Sequence, residues 1–495
     1  MGPADRSGSA SAPAAPAVRD RLVSRPGLFA RLDGPGRVTE VSAPAGSGKT
    51  LLLAAWIARS DPAGLAAWVP VQGEERDPQR FWLSVVAALR ETAAGRGGAG
   101  VPRRAAFWLL ALVFAATMLG TTLPTPLYVI YQARWHLSSA MVTVTFAVYA
   151  AGVLAALLLA GRSSDQAGRK PVLAAALGLS ALSTAVFVLA PDLGALLAAR
   201  IMSGLSAGLM TGTATAALTE LVPAPADRRA SLVATAANMG GLGLGPLIAG
   251  LFAQYAPHPT TLVFEVYLAV LAAAGLCLLV IPETVSPRQR PALRLAGLGI
   301  PERSRGEFIA AAVAGFAAFS LLGLFAALAP AFLGSVLHED NHAVQGAVVF
   351  LLFAAGTAIQ LLFSRFPGRR IMLAGLGLLL PALALIVTAL AQAALALFLA
   401  GTVVAGIAVG SIFLGSLATA SRLAPPGRRG QIVSTYFVAC YGGLIVPVVG
   451  VGIASGFIGD FPAVLALSLL LAALCLVALG GVGRTSAPHG TTVSR

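Results

Sequence analysis

From residue 103 onward the chain is a succession of apolar runs, each about 20 residues long, separated by short polar breaks. A helix rises about 1.5 Å per residue, so a run of that length matches the roughly 30 Å of hydrocarbon in a bilayer. Twelve such segments are predicted, near residues 105–130, 139–160, 171–190, 194–220, 230–254, 261–282, 307–334, 343–364, 370–391, 394–420, 430–454 and 461–482.

The polar breaks carry the cations, and they carry them on alternate sides. Of the 22 Lys and Arg residues after residue 102, Arg134 alone falls in a predicted outer break and Arg200 alone within a segment. The remainder lie in inner loops, junctions and the tail, which by the positive-inside rule predicts both ends of this region to be cytoplasmic and the protein to be multi-pass in the plasma membrane. Composition agrees, because 57% hydrophobic residues, 11% charged residues and a mean hydropathy of +0.83 give a soluble protein too little polar surface to cover its apolar residues. The isoelectric point near 10.9 does not point to nucleic acid, since the charges sit at helix ends and form no basic face with interleaved aromatics. Cys277, Cys440 and Cys475 lie in apolar runs without metal-ligand or disulfide spacing.

Between the second and third segments the chain reads GRSSDQAGRKPVL, Gly161 to Leu173. It resembles the loop of the major facilitator superfamily written G-x-x-x-D-x-x-G-R-K/R, with Gly161, Asp165, Gly168, Arg169 and Lys170 at the fixed positions. An ordinary basic turn carrying one Asp is the plainer alternative. The resemblance implies a gating loop, in which Asp165 meets the inner end of the eleventh segment near Gly430 and Arg169 pairs with an acid such as Glu220. The chain also repeats itself. Gly168-Arg169-Lys170 matches Gly368-Arg369-Arg370, Arg228-Arg229 matches Arg428-Arg429, and Pro246 matches Pro447, at offsets of 200, 200 and 201. Two six-helix halves in parallel relation are therefore expected, as in the major facilitator fold, where substrate binds between the halves near the midplane. The second copy reads SRFPGRR, so the acidic position is missing there.

Two further segments resemble patterns of the same family. RIMSGLSAG in the fourth segment fits R-x-x-x-G-x-x-x-G through Arg200, Gly204 and Gly208, and the resemblance implies a role for Arg200 in substrate or proton coupling. An arginine snorkelling outward from the helix end is the alternative. NMGGLGLGPLIAG in the fifth segment fits G-x-x-x-G-P-x-x-G, a pattern of the antiporter branch, through Gly241, Gly245, Pro246 and Gly250. These residues could equally serve close helix packing.

A proton-coupled antiporter needs an acid able to lose and regain a proton within the membrane. The first segment, TMLGTTLPTPLYVIYQ, has none. Glu265, in LVFEVYLAV, and Glu220, at the inner end of the fourth segment, remain as candidates; each has a structural alternative, Glu265 as an interfacial carboxylate and Glu220 as a partner for Arg169. Pro282-Glu283 resembles a Pro-Glu-Ser/Thr ending and is read as a helix stop.

The first hundred residues differ in kind. APAGSGKT resembles a P-loop, with Ala43 in place of its first glycine and Gly48, Lys49 and Thr50 at the phosphate- and magnesium-binding positions. From about Leu22 to Glu91 the chain resembles the front of LuxR-type ATP-dependent regulators similar to the maltose regulator. No apolar strand ending in Asp follows before Pro102, so the fragment lacks the means to hold magnesium or activate water.

The expected organisation is residues 1–21 disordered, 22–94 a partial α/β P-loop fragment, 95–103 a linker, 104–282 and 307–482 two six-helix halves, 283–306 a central loop and 483–495 a tail. The expected fold is an all-α membrane protein of twelve spans, and the expected function is secondary transport: proton-coupled efflux of small drug-like molecules or metabolites. Import or symport by the same fold, and a nucleotide-binding regulatory membrane protein, are the alternatives. Expected partners are the lipid bilayer, a small-molecule substrate and protons, with no cofactor, no metal and no nucleic acid, no enzymatic activity, and a monomeric state.

Overall fold

A computed structural model describes residues 101–160, 163–222, 227–285, 297–425 and 428–484, together with Leu52, Leu53, Ala55 and Trp56. The chain divides into two compact units, Met1–Gly100 and Val101–Arg495. Gly48, Lys49 and Thr50, with the α/β fragment expected around them, lie outside the described residues, as does Gly161.

The described part of the second unit is helical. Its helices are α1 (Arg103–Thr122), α2 (Tyr128–Trp135), α3 (Ser139–Ala160), α4 (Ser163–Ala167), α5 (Arg169–Leu189), α6 (Leu193–Leu221), α7 (Asp227–Tyr255), α8 (Pro259–Val280), α9 (Arg305–Ser335), α10 (His342–Leu362), α11 (Gly368–Ala391), α12 (Leu395–Arg422), α13 (Arg429–Ile458) and α14 (Asp460–Arg484). All but the short α2 and α4 are long and apolar enough to cross a membrane, which makes twelve spans among the described residues. Lipid offers no hydrogen bonds to the backbone, and each helix answers this by closing its bonds internally.

The first predicted segment differs from the structure in one respect: it is broken. Pro124 and Pro126 have no N–H to continue the ladder, so α1 stops at Thr122 and two turn bonds, Thr125 N to Thr122 O at 3.0 Å and Leu127 N to Pro124 O at 3.1 Å, carry the chain into α2. The break frees the carbonyl of Thr121, with consequences described below.

The repeat in the sequence is a repeat in space. Gly168 and Pro367 cap the starts of α5 and α11, Arg428 caps α13, and Pro246 and Pro447 lie inside α7 and α13. Helices α1 to α8 form one six-span half and α9 to α14 the other. The halves meet along two seams, α7 against α10 and α3 against α13. Both seams rest on small residues. A Cβ on Gly250 would strike Gly346 and the His342 carbonyl, and one on Gly452 would strike Thr143, so glycine is what allows these backbones to approach. Both close approaches lie toward the end of the bundle opposite the cation-bearing helix ends, and the His342 amide donates to Gln254 Oε1 there at 2.9 Å. We call the cation-bearing end the basic end and the other the far end.

Candidate functional site: a clasp, a cavity and a buried arginine

At the basic end of the N-terminal half, the loop before α5 is held by paired charges. Gly168 caps α5 with φ of 98°, a backbone conformation that strains any side chain, and a Cβ there would meet the carboxylate of Glu283 at 2.7 Å. Glu283 uses that space to cap the helix, accepting from the amides of Arg169 at 2.8 Å and Lys170 at 2.9 Å, where a helix start favours negative charge. Lys170 Nζ reaches the other way and donates to the carbonyls of Leu279 and Ile281 at the end of α8, at 2.7 and 3.0 Å.

The Arg169 side chain is the centre of this clasp. Its guanidinium grips Glu220 through Nη2 to Oε1 at 2.8 Å and Nε to Oε1 at 3.2 Å, while Nη1 meets Asp165 Oδ1 at 2.7 Å and Ser164 Oγ at 2.6 Å. Glu220 also accepts from Thr284 Oγ1 at 2.5 Å, and its carbonyl accepts from Arg103 Nη2 at 2.5 Å. The starts of α1 and α5 are thus tied to the ends of α6 and α8. The Arg169 side chain is 11% exposed against 60% for Asp165, so the planar grip on Glu220 is the part least screened by water.

The expected pair Arg169–Glu220 is therefore present, and Asp165 is placed differently from expectation. Its described partner is Arg169 of its own half, not the start of α13. Arg429, the first residue of α13, lines an opening at the basic end together with Ser421, Arg422 and Gln360. Sequence reasoning read Glu283 only as part of a helix stop and passed over Thr284. The resemblance of Pro282-Glu283-Thr284 to a family ending was the available signal.

The opening leads inward. It shares Ser231, Thr235, Phe413 and Leu417 with a central cavity of about 420 Å³ that both halves line. The cavity wall is aromatic and aliphatic, with Phe146, Tyr149, Phe319, Phe437 and Tyr441 among its members, and its polar groups are neutral: Thr122, Thr211, Thr215, Asn238. Among the described residues lining it there is no Asp, Glu, Lys or Arg. Toward the far end the two halves approach closely at the two glycine seams.

Helix α7 forms part of this wall and contains the antiporter-like pattern. A Cβ on Gly241 would strike the Ala115 carbonyl of α1, and one on Gly245 the Leu119 carbonyl, while the Pro246 carbonyl lies against Gly346 of α10. Pro246 cannot donate to the carbonyl of Leu242 four residues back, and Thr122 Oγ1 of α1 supplies the missing donor at 2.7 Å. The proline site of α7 is thus bonded to α1 by a threonine that sequence reasoning did not single out.

Arg200 faces inward. It is fully buried, which excludes snorkelling to the surface, and Nη1 donates to the Thr121 carbonyl freed by the break after α1, at 2.6 Å. Its guanidinium carbon lies 4.7 Å from the ring centroid of Tyr149 and 5.6 Å from that of Tyr128. Glu265 faces the opposite way. It sits with Val266 on the exposed side of α8, whereas Phe264 and Tyr267 of the same helix are buried, and it is not among the cavity-lining residues. The two acids named as coupling candidates are therefore brought to different places, Glu220 to the clasp and Glu265 to the bundle's outer surface.

Two pseudo-symmetric six-helix halves around a central cavity define a membrane transporter. The family model for the Major Facilitator Superfamily matches residues 110–447, and the chain belongs to that superfamily. It is 29% identical over 347 residues to the uncharacterized MFS-type transporter YceJ of Bacillus subtilis (strain 168), covering 68% of this chain and 86% of that protein. Shorter matches reach the multidrug resistance protein MdtL of Escherichia coli, 36% identical over 20% of this chain and 25% of that one, and the puromycin resistance protein pur8 of Streptomyces alboniger, 32% over 29% and 28%. Among solved structures, the human organic anion transporter MFSD10 superposes with a TM-score of 0.57 at 18% identity over 76% of this chain and all of the other. A POT family transporter superposes with 0.64 at 12% over 78% and 96%. These two likenesses are of fold. The protein is a multi-pass membrane transporter of small molecules and not an enzyme.

Proposed function

We propose that the chain is an exporter: small amphipathic molecules enter the cavity from the basic end, which by its cations is the cytoplasmic side of the plasma membrane, and leave at the far end by alternating access. The observation that carries this reading is the cavity itself, lined by both halves, walled by aromatic rings and neutral hydroxyls, and continuous with the basic-end opening. Such a wall suits apolar bodies with few polar groups. The names of MdtL and pur8 support the same direction, as does the glycine and proline pattern at Gly241, Gly245, Pro246 and Gly250.

In this reading the loop Gly161, Asp165, Gly168, Arg169 and Lys170 closes the basic end when the halves rock together, and Asp165 then exchanges its contact with Arg169 for the amides at the start of α13. Protons are the coupling ion, with Glu220 and Glu265 as the acids open to exchange, and the monomer is the working unit. The P-loop residues Gly48, Lys49 and Thr50 play no part in driving the cycle, because the residues that would hold magnesium are missing from the sequence.

The test is accumulation of a fluorescent amphipathic dye in an exporter-deficient host. Cells expressing the protein should hold less dye, a protonophore should remove the difference, and Lys49→Ala should leave it intact. Raised accumulation would make the protein an importer, and export that survives the protonophore would remove protons from the account.

A further inference from the structure

The central cavity has two unlike walls. Every described Thr, Ser and Asn that lines it belongs to the N-terminal half, and apart from the Tyr441 hydroxyl the C-terminal half contributes only apolar side chains. The rings of this second wall are linked. Phe319 of α9 lies 5.6 Å from Phe413 of α12 and 5.7 Å from Tyr441 of α13, centroid to centroid, and Phe437 lies 6.4 Å from Tyr441. Such a cluster presents faces and edges that favour another aromatic ring.

The first wall is polar, but several of its hydroxyls are already committed to backbone. Thr122 donates to the Leu242 carbonyl at 2.7 Å, Thr211 to that of Ala207 at 2.8 Å and Thr215 to that of Thr211 at 2.7 Å. Asn238 and Thr235 differ. Both side chains are half-buried, and neither makes a hydrogen bond among the described residues. They stand a helical turn apart on α7, where Ser231, Thr235, Asn238 and Leu242 line the cavity at helical spacing, so one face of the helix looks into it with Asn238 near the middle. Ser231 and Thr235 also line the basic-end opening, which places Asn238 one turn further in along the same face.

We propose that Asn238 selects the substrate: it pairs, donor to acceptor and acceptor to donor, with an uncharged carboxamide or lactam edge on a flat aromatic molecule whose ring rests against Phe319, Phe413 and Tyr441. This deepens the transporter reading of the cavity and rests on it, but not on the direction of transport. An asparagine carries its C=O and NH2 side by side in one plane, and a carboxamide presents the complement in the same plane. Thr235, a turn nearer the mouth, offers a hydroxyl to the ligand carbonyl's remaining lone pair. A ligand without such an edge displaces water from Asn238 and leaves its polar atoms unmet, which is how a hydrogen-bonding site rejects a near-isostere. A cation loses its water and gains no ion pair, because no described lining residue is Asp or Glu.

The test is equilibrium binding of tritiated 2-naphthamide and tritiated 2-acetonaphthone to the full-length protein in phosphatidylcholine nanodiscs, with binding to empty nanodiscs subtracted. The two probes share ring and shape and differ by NH2 against CH3. The amide should bind about tenfold tighter, as expected for two neutral hydrogen bonds. The cationic counterpart, 2-naphthylmethylammonium, should compete at least about tenfold more weakly than unlabelled amide. Asn238→Leu, close in volume, should bring amide and ketone within about twofold of each other while ketone affinity is kept. Asn238→Ser, too short to reach the ligand, carries the same expectation if the Leu variant fails to fold. Phe319→Leu should weaken both probes by about the same factor. Equal binding of amide and ketone by the wild type overturns the proposal, and so does a preference that survives the loss of Asn238, a cation that outcompetes the amide, or binding of neither probe. An amide preference in a protein that removes no dye from cells leaves this site standing and removes the exporter reading, whereas dye export with equal binding of the two probes does the reverse.

Discussion

At the level of Arg200 the N-terminal half holds a guanidinium, the rings of Tyr128 and Tyr149 and a broken helix, while the matched stretch of the C-terminal half carries no charged residue. Matching helices there begin at Leu193 and Leu395, 202 residues apart, and the landmarks at Gly168 and Pro246 recur at 200 and 201. At those offsets α12 offers Ala400, Gly401 and Thr402 opposite Arg200, and α10 offers Val349, Phe350 and Leu351 opposite Tyr149. Thr402 turns its hydroxyl back onto the Phe398 carbonyl of its own helix at 2.7 Å and reaches no neighbour. At the basic end the contrast is one of sign. In the first half α6 ends in Glu220 and takes cations from α5 and α1; in the second, α12 ends in Arg422 and pairs with Glu307 of α9. The shared backbone plan depends on small residues and helix starts, which both halves have, and it leaves each half free to place its own charges.

The comparison breaks most readily at the clasp. Arg169→Ala leaves Glu220 and Asp165 without their cation, and the loss should be about 2–3 kcal/mol, below the roughly 3–5 kcal/mol for breaking a fully buried pair because Glu220 is partly exposed. A lowered melting temperature of the purified protein, with reduced membrane abundance, would register it; a change below about 0.5 kcal/mol would mean that the clasp does not hold the N-terminal half together.

Next in size is Thr122→Val, which keeps the shape and removes the donor to the Leu242 carbonyl. An unmet buried carbonyl costs about 1–2 kcal/mol, and Thr122→Ser should restore most of it. A thermal shift series of the two variants checks this, and equal stability of both would mean that water or a backbone shift satisfies Leu242.

Asp165→Asn should slow dye export about threefold, equivalent to about 0.7 kcal/mol, without changing the amount of protein in the membrane. The motivation is its exposed position beside Arg169 at the basic end. Export at the wild-type rate would count against a gating role.

The smallest effect is expected on the other half. Arg422→Ala removes a pair whose cation is 61% exposed, and solvent screening should hold the cost to about 0.5 kcal/mol or less. If this variant melts as early as Arg169→Ala, the two clasps are equivalent and the asymmetry argued above is mistaken.

The sequence by itself determined the number of spans, the position of the basic end and the division into halves, because each follows from run length, charge placement and a repeat that need no partner to be read. It also paired Arg169 with Glu220, since both stand at helix ends on one side of the membrane. The facing of each helix was another matter. Several spans, α3 and α8 among them, are apolar almost all the way round, and such a helix carries no periodic signal of which side meets lipid. Only tertiary structure, by packing α8 through Phe264 and Tyr267 and α6 through Arg200, turned Glu265 out and Arg200 in. The same holds for Thr121, Thr122 and Glu283, whose work is to satisfy carbonyls, amides and charges on distant helices; which backbone groups need a partner in lipid depends on where prolines break neighbouring ladders, and which residue answers depends on how the helices pack.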